Sequence, residues 1–178
     1  MPKPYFKPSE QEIDSIIRVN QAGEYAAQII YQTQINNTCD RQLKQILEEM
    51  LTCEKQHLEF FNQQMRMGKT RPTLLTPLWH FLSLSLGKIS SKIGNKHMML
   101  ATDAVEEVIQ DHYQQQIQRL DGSDEELLRQ QIIKFSLEEL DHQKVAKKHI
   151  ANLSLFDQVF TKMVQIGCKA AIALSKKI

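Results

Sequence analysis

Two stretches of this sequence interrupt their own hydrophobic stripes in the same way. Leu43, Leu47, Met50, Glu54, His57 and Phe61 recur at steps of 4, 3, 4, 3 and 4 residues, and Leu128, Ile132, Phe135, Glu139, His142 and Ala146 repeat those steps. Such spacing marks the core-facing side of an α-helix. Each stripe therefore turns a Glu and a His, three residues apart, toward the interior, close enough to reach one centre. A chain that buries two such pairs must also neutralise them.

Two further helices add to that burden. Ile13, Ile17, Glu24 and Tyr31 form one stripe, and Met99, Glu106, Ile109 and Tyr113 form another. The order is Glu, Glu-x-x-His, Glu, Glu-x-x-His, an internal repeat of two helical hairpins. Four buried carboxylates without a cation would each cost several kcal/mol, more than a marginally stable domain tolerates. Two divalent cations against four carboxylates and two neutral imidazoles make a neutral cluster. Oxygen-rich ligation with one imidazole per ion and no thiolate suits iron or manganese better than structural zinc. This ligand pattern is that of ferritin-like di-iron bundles. The expected ligands are Glu24, Glu54, His57, Glu106, Glu139 and His142. Glu54 and Glu139 are expected to bridge, with His57 on the Glu24 iron and His142 on the Glu106 iron.

The rest of the chain reads as all-α. Ser9 with Glu12 is a capping box for a helix to about Asn37, and a second helix runs from near Asp40 to Gly68. Thr76–Pro77 reads as an N-cap and first helical residue of a short helix ending near Gly94. A long helix over about 96–120 follows. Ser123 with Glu126 reads as another capping box, opening a helix to about Ala151, and a last helix ends the chain. With 178 residues, 6 Gly and 5 Pro, the expectation is one ferritin-like domain over 1–178. It has a long crossover between its second and third long helices, an amphipathic insert at 73–94 and a C-terminal amphipathic helix at 154–178.

Charge is uneven. Residues 66–100 carry Arg66, Lys69, Arg71, Lys88, Lys92 and Lys96 and no acid, and residues 152–178 carry four lysines against Asp157. The whole chain is only +1, so two basic, apolar segments sit on an acidic body. The insert, with Leu78, Trp79, Leu82 and Leu86 as candidate contacts to membrane and substrate, is too short to span a bilayer and suited to lie in its headgroup layer. The last helix places Phe156, Phe160, Met163, Ala170 and Leu174 together, for the membrane, for capping the bundle or for a homodimer contact. Cys39, Cys53 and Cys168 form no C-x-x-C pair, which fits a reducing compartment. No signal or transit segment is read at the N-terminus, and no nucleic-acid partner is expected.

Five blocks carry a family resemblance: "IIRVNQAGEYAAQIIYQTQ", "EKQHLEFFNQQM", "RPTLLTPLWHFLSLSLG", "AVEEVIQDHYQQQI" and "KFSLEELDHQKVAKKH". In this order they resemble the demethoxyubiquinone hydroxylases, di-iron monooxygenases of ubiquinone biosynthesis, from about Ile16 to the C-terminus. The resemblance implies the same six ligands, two iron ions, dioxygen as co-substrate and a polyprenylated quinone or quinol as substrate. It also implies a peripheral membrane protein, placed here at the cytoplasmic face of a bacterial inner membrane. His112 and Tyr113 match the family's His-Tyr pair, with a role in moving protons or electrons. Asn20 stands where the family commonly has Asp, as a neutral acceptor beside a ligand imidazole.

No Gly-rich dinucleotide fingerprint is present, so the electrons come from outside: NADH, a reductase or the quinol. Two other functions compete. A ferroxidase or iron-handling bundle would not need the lipid-facing segments, and a non-catalytic lipid-binding bundle would leave the four inward carboxylates unexplained.

Overall fold

The computed structural model describes residues 7–68 and 70–177, so the chain's first six residues, Lys69 and Ile178, and the expected domain limits at 1 and 178, lie outside the described residues. The described residues form six helices and no strand: α1 Glu10–Asn37, α2 Arg41–Gly68, α3 Thr76–Ile93, α4 Asn95–Leu120, α5 Glu126–Lys148 and α6 Leu155–Ser175. The four long helices α1, α2, α4 and α5 make the expected ferritin-like bundle. α1 packs on α2 and α4 on α5, so each hairpin of the repeat is one packed pair.

Local chemistry sets the ends. At α1 the capping box is complete: Ser9 Oγ accepts from the Glu12 N–H at 3.3 Å and Glu12 Oε2 accepts from the Ser9 N–H at 2.9 Å. Asp40 Oδ1 caps α2 by accepting from the Leu43 N–H at 3.0 Å. Two expected caps are corrected. Thr76 donates its hydroxyl to the Thr73 carbonyl at 2.7 Å, and α3 starts on Leu75 without a side-chain cap. Ser123 likewise donates to the Leu120 carbonyl at 2.7 Å, closing α4, while Glu125 is the cap residue of α5. A Ser or Thr hydroxyl held by a preceding carbonyl has turned away from the helix that follows.

An unexpected second capping box, Ser154 with Asp157, opens α6. The buried Asp157 carboxylate also accepts from Lys96 Nζ at 2.6 Å and meets His97 Nε2 at 3.1 Å, pinning the start of α6 to the start of α4. At the far end Trp79 Nε1 of α3 donates to Ser175 Oγ of α6 at 2.9 Å. Trp79 is therefore buried between helices, on the side of α3 away from the exposed Leu78. Leu78, Phe81, Leu82, Ile89 and Ile93 are the exposed apolar residues of α3. On α6, Asp157, Val164 and Ser175 dock, whereas Phe156, Met163 and Leu174 of the expected apolar face stay exposed.

The core divides around a polar layer. One apolar cluster includes Tyr31, Leu47, Met50 and Met99, and the other Ile17, Phe61, Tyr113 and Phe135. On α2 the interval between them holds Glu54 and His57. Two dry clusters thus clamp the carboxylates from above and below.

Candidate metal centre

Each hairpin delivers one carboxylate from its first helix and a Glu-x-x-His pair from its second. Glu24, Glu54, Glu106 and Glu139 are buried at 1 to 4% exposure, and His57 at 0%. His57 Nδ1 lies 2.9 Å from Glu139 Oε1, 3.4 Å from Glu24 Oε2 and 3.8 Å from Glu54 Oε2. His142 Nδ1 lies 3.0 Å from Glu139 Oε2 and 3.3 Å from Glu54 Oε1. The six side chains resolve into two groups whose ligand atoms all fall within 4.8 Å of one another. One is Glu24, Glu54, His57 and Glu139; the other is Glu54, Glu106, Glu139 and His142. Glu54 and Glu139 belong to both.

The electrostatics are those of a crowded anionic cage. Burial and the neighbouring charges of Glu139 and Glu24 push Glu54 well above the usual carboxylate range. Burial and Glu139 do the same to Glu106. Burial would lower His57, but hydrogen bonds with Cys53, Glu139 and Glu24 hold its imidazole far above its ordinary value. Burial would lower His142 too, but hydrogen bonds with Cys53, Glu139 and Glu54 raise it far above its ordinary value. Glu139, though buried, is held down at about 2 by hydrogen bonds with His142 and His57. Proton sharing of this kind is what a cation would replace.

The donor set fits a pair of divalent cations. Glu54 Oε1 and His57 Nδ1 are buried with close polar neighbours, His142 Nδ1 and Glu139 Oε1, but no well-aligned hydrogen bond, and buried polar atoms left so call for an explanation. Both face the cage, where a cation would satisfy them. Around it two further carboxylate oxygens are held: Tyr31 donates to Glu106 Oε1 at 2.6 Å, and Tyr113 donates to Glu24 Oε1. Burial and the cage charges push both phenols upward, so they remain donors.

An apolar cavity of about 430 Å³ lies against this cage, between α1, α3, α4 and α6. Glu24 and Tyr113 form part of its wall, with Gly23, Ile109, Leu86 and Cys168 beside them. Trp79 and Leu82 also line it, whereas Leu78 does not. The exposed Leu82, Ile89 and Met163 continue the wall to the surface.

Asn20 is placed otherwise than expected. It forms a reciprocal amide pair with Gln116, 2.8 Å in each direction, and Gln116 Nε2 lies 2.8 Å from His112 Nε2. Asn20 thus belongs to the cavity wall and reaches toward His112, not toward a cage imidazole. Burial, with Lys176 nearby, pushes His112 down to about 4, so it is neutral at pH 7. The sequence reading missed Glu138, whose Oε2 lies 2.9 Å from His57 Nε2, and Cys53, whose Sγ lies 3.4 Å from the same nitrogen. Each directly precedes a Glu-x-x-His glutamate, which is the one sequence signal that could have found them.

Residues 11–175 match the family model described as ubiquinone biosynthesis protein COQ7. A mitochondrial NADPH-dependent 3-demethoxyubiquinone 3-hydroxylase of Homo sapiens is 40% identical over 174 residues, 96% of this chain and 80% of that protein. The protein of that name in Dictyostelium discoideum is 37% identical over 97% of this chain and 80% of its own. A 3-demethoxyubiquinol 3-hydroxylase of Rhodospirillum rubrum is 37% identical over 93% of this chain and 78% of its own.

Proposed function

The chain belongs to the COQ7 family of ubiquinone biosynthesis proteins, and from that membership we propose a di-iron hydroxylase acting on the ring of a 3-demethoxyubiquinone or 3-demethoxyubiquinol. One observation carries the reading. Two ligand groups that share Glu54 and Glu139 lie beside an apolar cavity that reaches Glu24.

Glu24 and His57 would hold one iron and Glu106 and His142 the other, with Glu54 and Glu139 bridging. A ferrous pair bound there supplies electrons to activate dioxygen, of which one atom enters the ring and the other leaves as water. Everything else is the work of the chain. The apolar cavity wall excludes water and orients the ring toward Glu24. Tyr113 fixes the Glu24 carboxylate from the cavity side, where its hydroxyl can also pass a proton. His112, neutral and joined to the Gln116–Asn20 pair, offers the ring a hydrogen-bonding edge without a charge. The isoprenoid tail leaves along Leu82, Ile89 and Met163 toward the surface.

The exposed apolar residues of α3 and α6, among them Phe81, Ile89, Phe156, Val159 and Ile166, would rest in a headgroup layer, with Lys88, Lys92, Lys162 and Lys169 facing anionic lipid. No helix among the described residues is long and apolar enough to cross a membrane, so the proposed attachment is peripheral. We place it on the cytoplasmic face of a bacterial inner membrane, where its three free cysteines stay reduced. The electrons come from an external donor, reduced nicotinamide in keeping with the relatives' names, or the quinol itself.

The test is product analysis. Iron-loaded protein given demethoxyubiquinone, NADPH or NADH and dioxygen yields a ring carrying one more hydroxyl. Iron oxidation without ring chemistry would instead make it a ferroxidase, and failure to take up iron would leave a lipid-binding bundle.

A further inference from the structure

His57 has a carboxylate on each of its nitrogens, and His142 does not. His57 Nδ1 faces the cage, while Nε2 lies 2.9 Å from Glu138 Oε2. The second oxygen of Glu138 stands 3.7 Å from Lys134 Nζ. Among the described residues, the carboxylates within ion-pair distance of His142 are Glu54 and Glu139, both reached through Nδ1. The repeat register explains the difference. Glu138 precedes Glu139 in one hairpin, and the equivalent position before Glu54 in the other is Cys53.

We infer that Glu138 is a positioning residue that makes the two metal positions unequal, the Glu24–His57 position holding its ion more tightly than the Glu106–His142 position. This rests on the dimetal reading above. A carboxylate accepting from Nε2–H fixes the tautomer in which Nδ1 carries a free lone pair toward the ion, and makes that lone pair more basic. Outer partners of this kind typically change metal affinity 10–100-fold. A thiol is a weak acceptor and cannot do the same. The sequence repeat thus conceals a functional asymmetry written at one position of each hairpin.

The experiment titrates metal-free full-length protein with cobalt(II), read by calorimetry and by the visible absorption of the bound ion. Wild type is expected to fill in two steps at least tenfold apart. Glu138→Gln keeps an acceptor oxygen and so the local packing, and is expected to weaken the tighter step 10–100-fold and change the spectrum of the first ion alone. Glu138→Asp recovers part of the loss. Two equal steps in wild type, or a Glu138→Gln variant that weakens both steps alike or neither, would overturn the inference while leaving the dimetal reading intact. No cobalt uptake by wild type would sink both. Should Glu138→Gln fail to fold, Glu138→Asp carries the comparison: a tighter step weakened less than by full loss of the carboxylate, but still selectively, supports the inference, and an unchanged tighter step overturns it.

Discussion

Tyr31 of α1 donates its hydroxyl to Glu106 Oε1 of α4 at 2.6 Å, across the interface between the two hairpins. The counterpart runs the other way, from Tyr113 of α4 to Glu24 of α1. Each hairpin thus holds the single carboxylate of the other. The two phenols differ in one respect: Tyr113 also lines the apolar cavity and Tyr31 does not.

That difference separates two variants. Tyr31→Phe and Tyr113→Phe should each destabilise the metal-free protein by about 1.5–3 kcal/mol, the worth of a hydrogen bond to a charged group. Only Tyr113→Phe should also lower kcat, by tenfold or more, with two irons still bound. Denaturant unfolding and turnover, measured on both variants, check this. Equal losses of kcat would remove any special role for Tyr113.

Because Glu54 and Glu139 belong to both ligand groups, their loss should empty both positions. Glu54→Ala and Glu139→Ala are expected to bind fewer than half an iron per chain, against about one in Glu24→Ala or Glu106→Ala. Metal analysis after anaerobic loading decides it. Full iron in either bridging variant would refute the shared positions.

The cage was legible in the sequence for a physical reason. Glu and His on a stripe otherwise made of Leu, Met and Phe have no cheap explanation except mutual neutralisation, so periodicity alone singled out all six cage residues. Glu138 escaped because it lies one step off that stripe, on a half-buried flank where a Glu needs no explanation. Which of Leu78, Trp79, Leu82 and Leu86 turn inward was not legible, because α3 is apolar on several sides and it is the Ser175 hydroxyl on α6 that marks the inward one. The Ser123–Glu126 spacing satisfied a capping rule, yet the Ser123 hydroxyl had a nearer acceptor in the Leu120 carbonyl. Local rules failed where a neighbouring backbone group competed for the same side chain.

Burial holds His112 at about 4, below its ordinary 6.5. The unfolded chain therefore binds the extra proton first as pH falls, and stability is lost on acidification from above 6.5 toward 4. At pH 5 the loss from this residue is about 2 kcal/mol. The gap in unfolding free energy between wild type and His112→Asn should accordingly shrink by roughly that much from pH 7 to pH 5. A gap independent of pH would show that His112 is not held neutral by its surroundings.

The apolar exposure of Phe81 on α3 and Val159 on α6 should appear as lipid affinity. Phe81→Glu combined with Val159→Glu removes two apolar anchors worth about 1.5–3 kcal/mol each when buried, and adds two charges repelled by anionic lipid. Binding to vesicles containing phosphatidylglycerol should fall at least tenfold in cosedimentation, with the thermal midpoint unchanged. Undiminished binding would move the membrane contact elsewhere.

Gly87 sets how closely α3 approaches α1, and so the width of the cavity between them. A Cβ at this position would stand 2.7 Å from Thr33 Cβ and 3.0 Å from the Ile30 carbonyl oxygen. Neither atom can swing aside, since one is backbone and the other is the branch point of a β-branched side chain. Two effects oppose each other in Gly87→Ala. Helix propensity favours Ala by about 1 kcal/mol, while overpacking at a rigid contact costs about 1–3 kcal/mol. With contacts this short the clash should win, because relief requires α3 to shift bodily from α1. The expected result is a thermal midpoint lower by several degrees. It should come with a raised KM for the quinone, because Trp79, Leu82 and Leu86 move with α3 as cavity wall. A variant more stable than wild type would mean that α3 already has room to move, and that the cavity width is not set at Gly87.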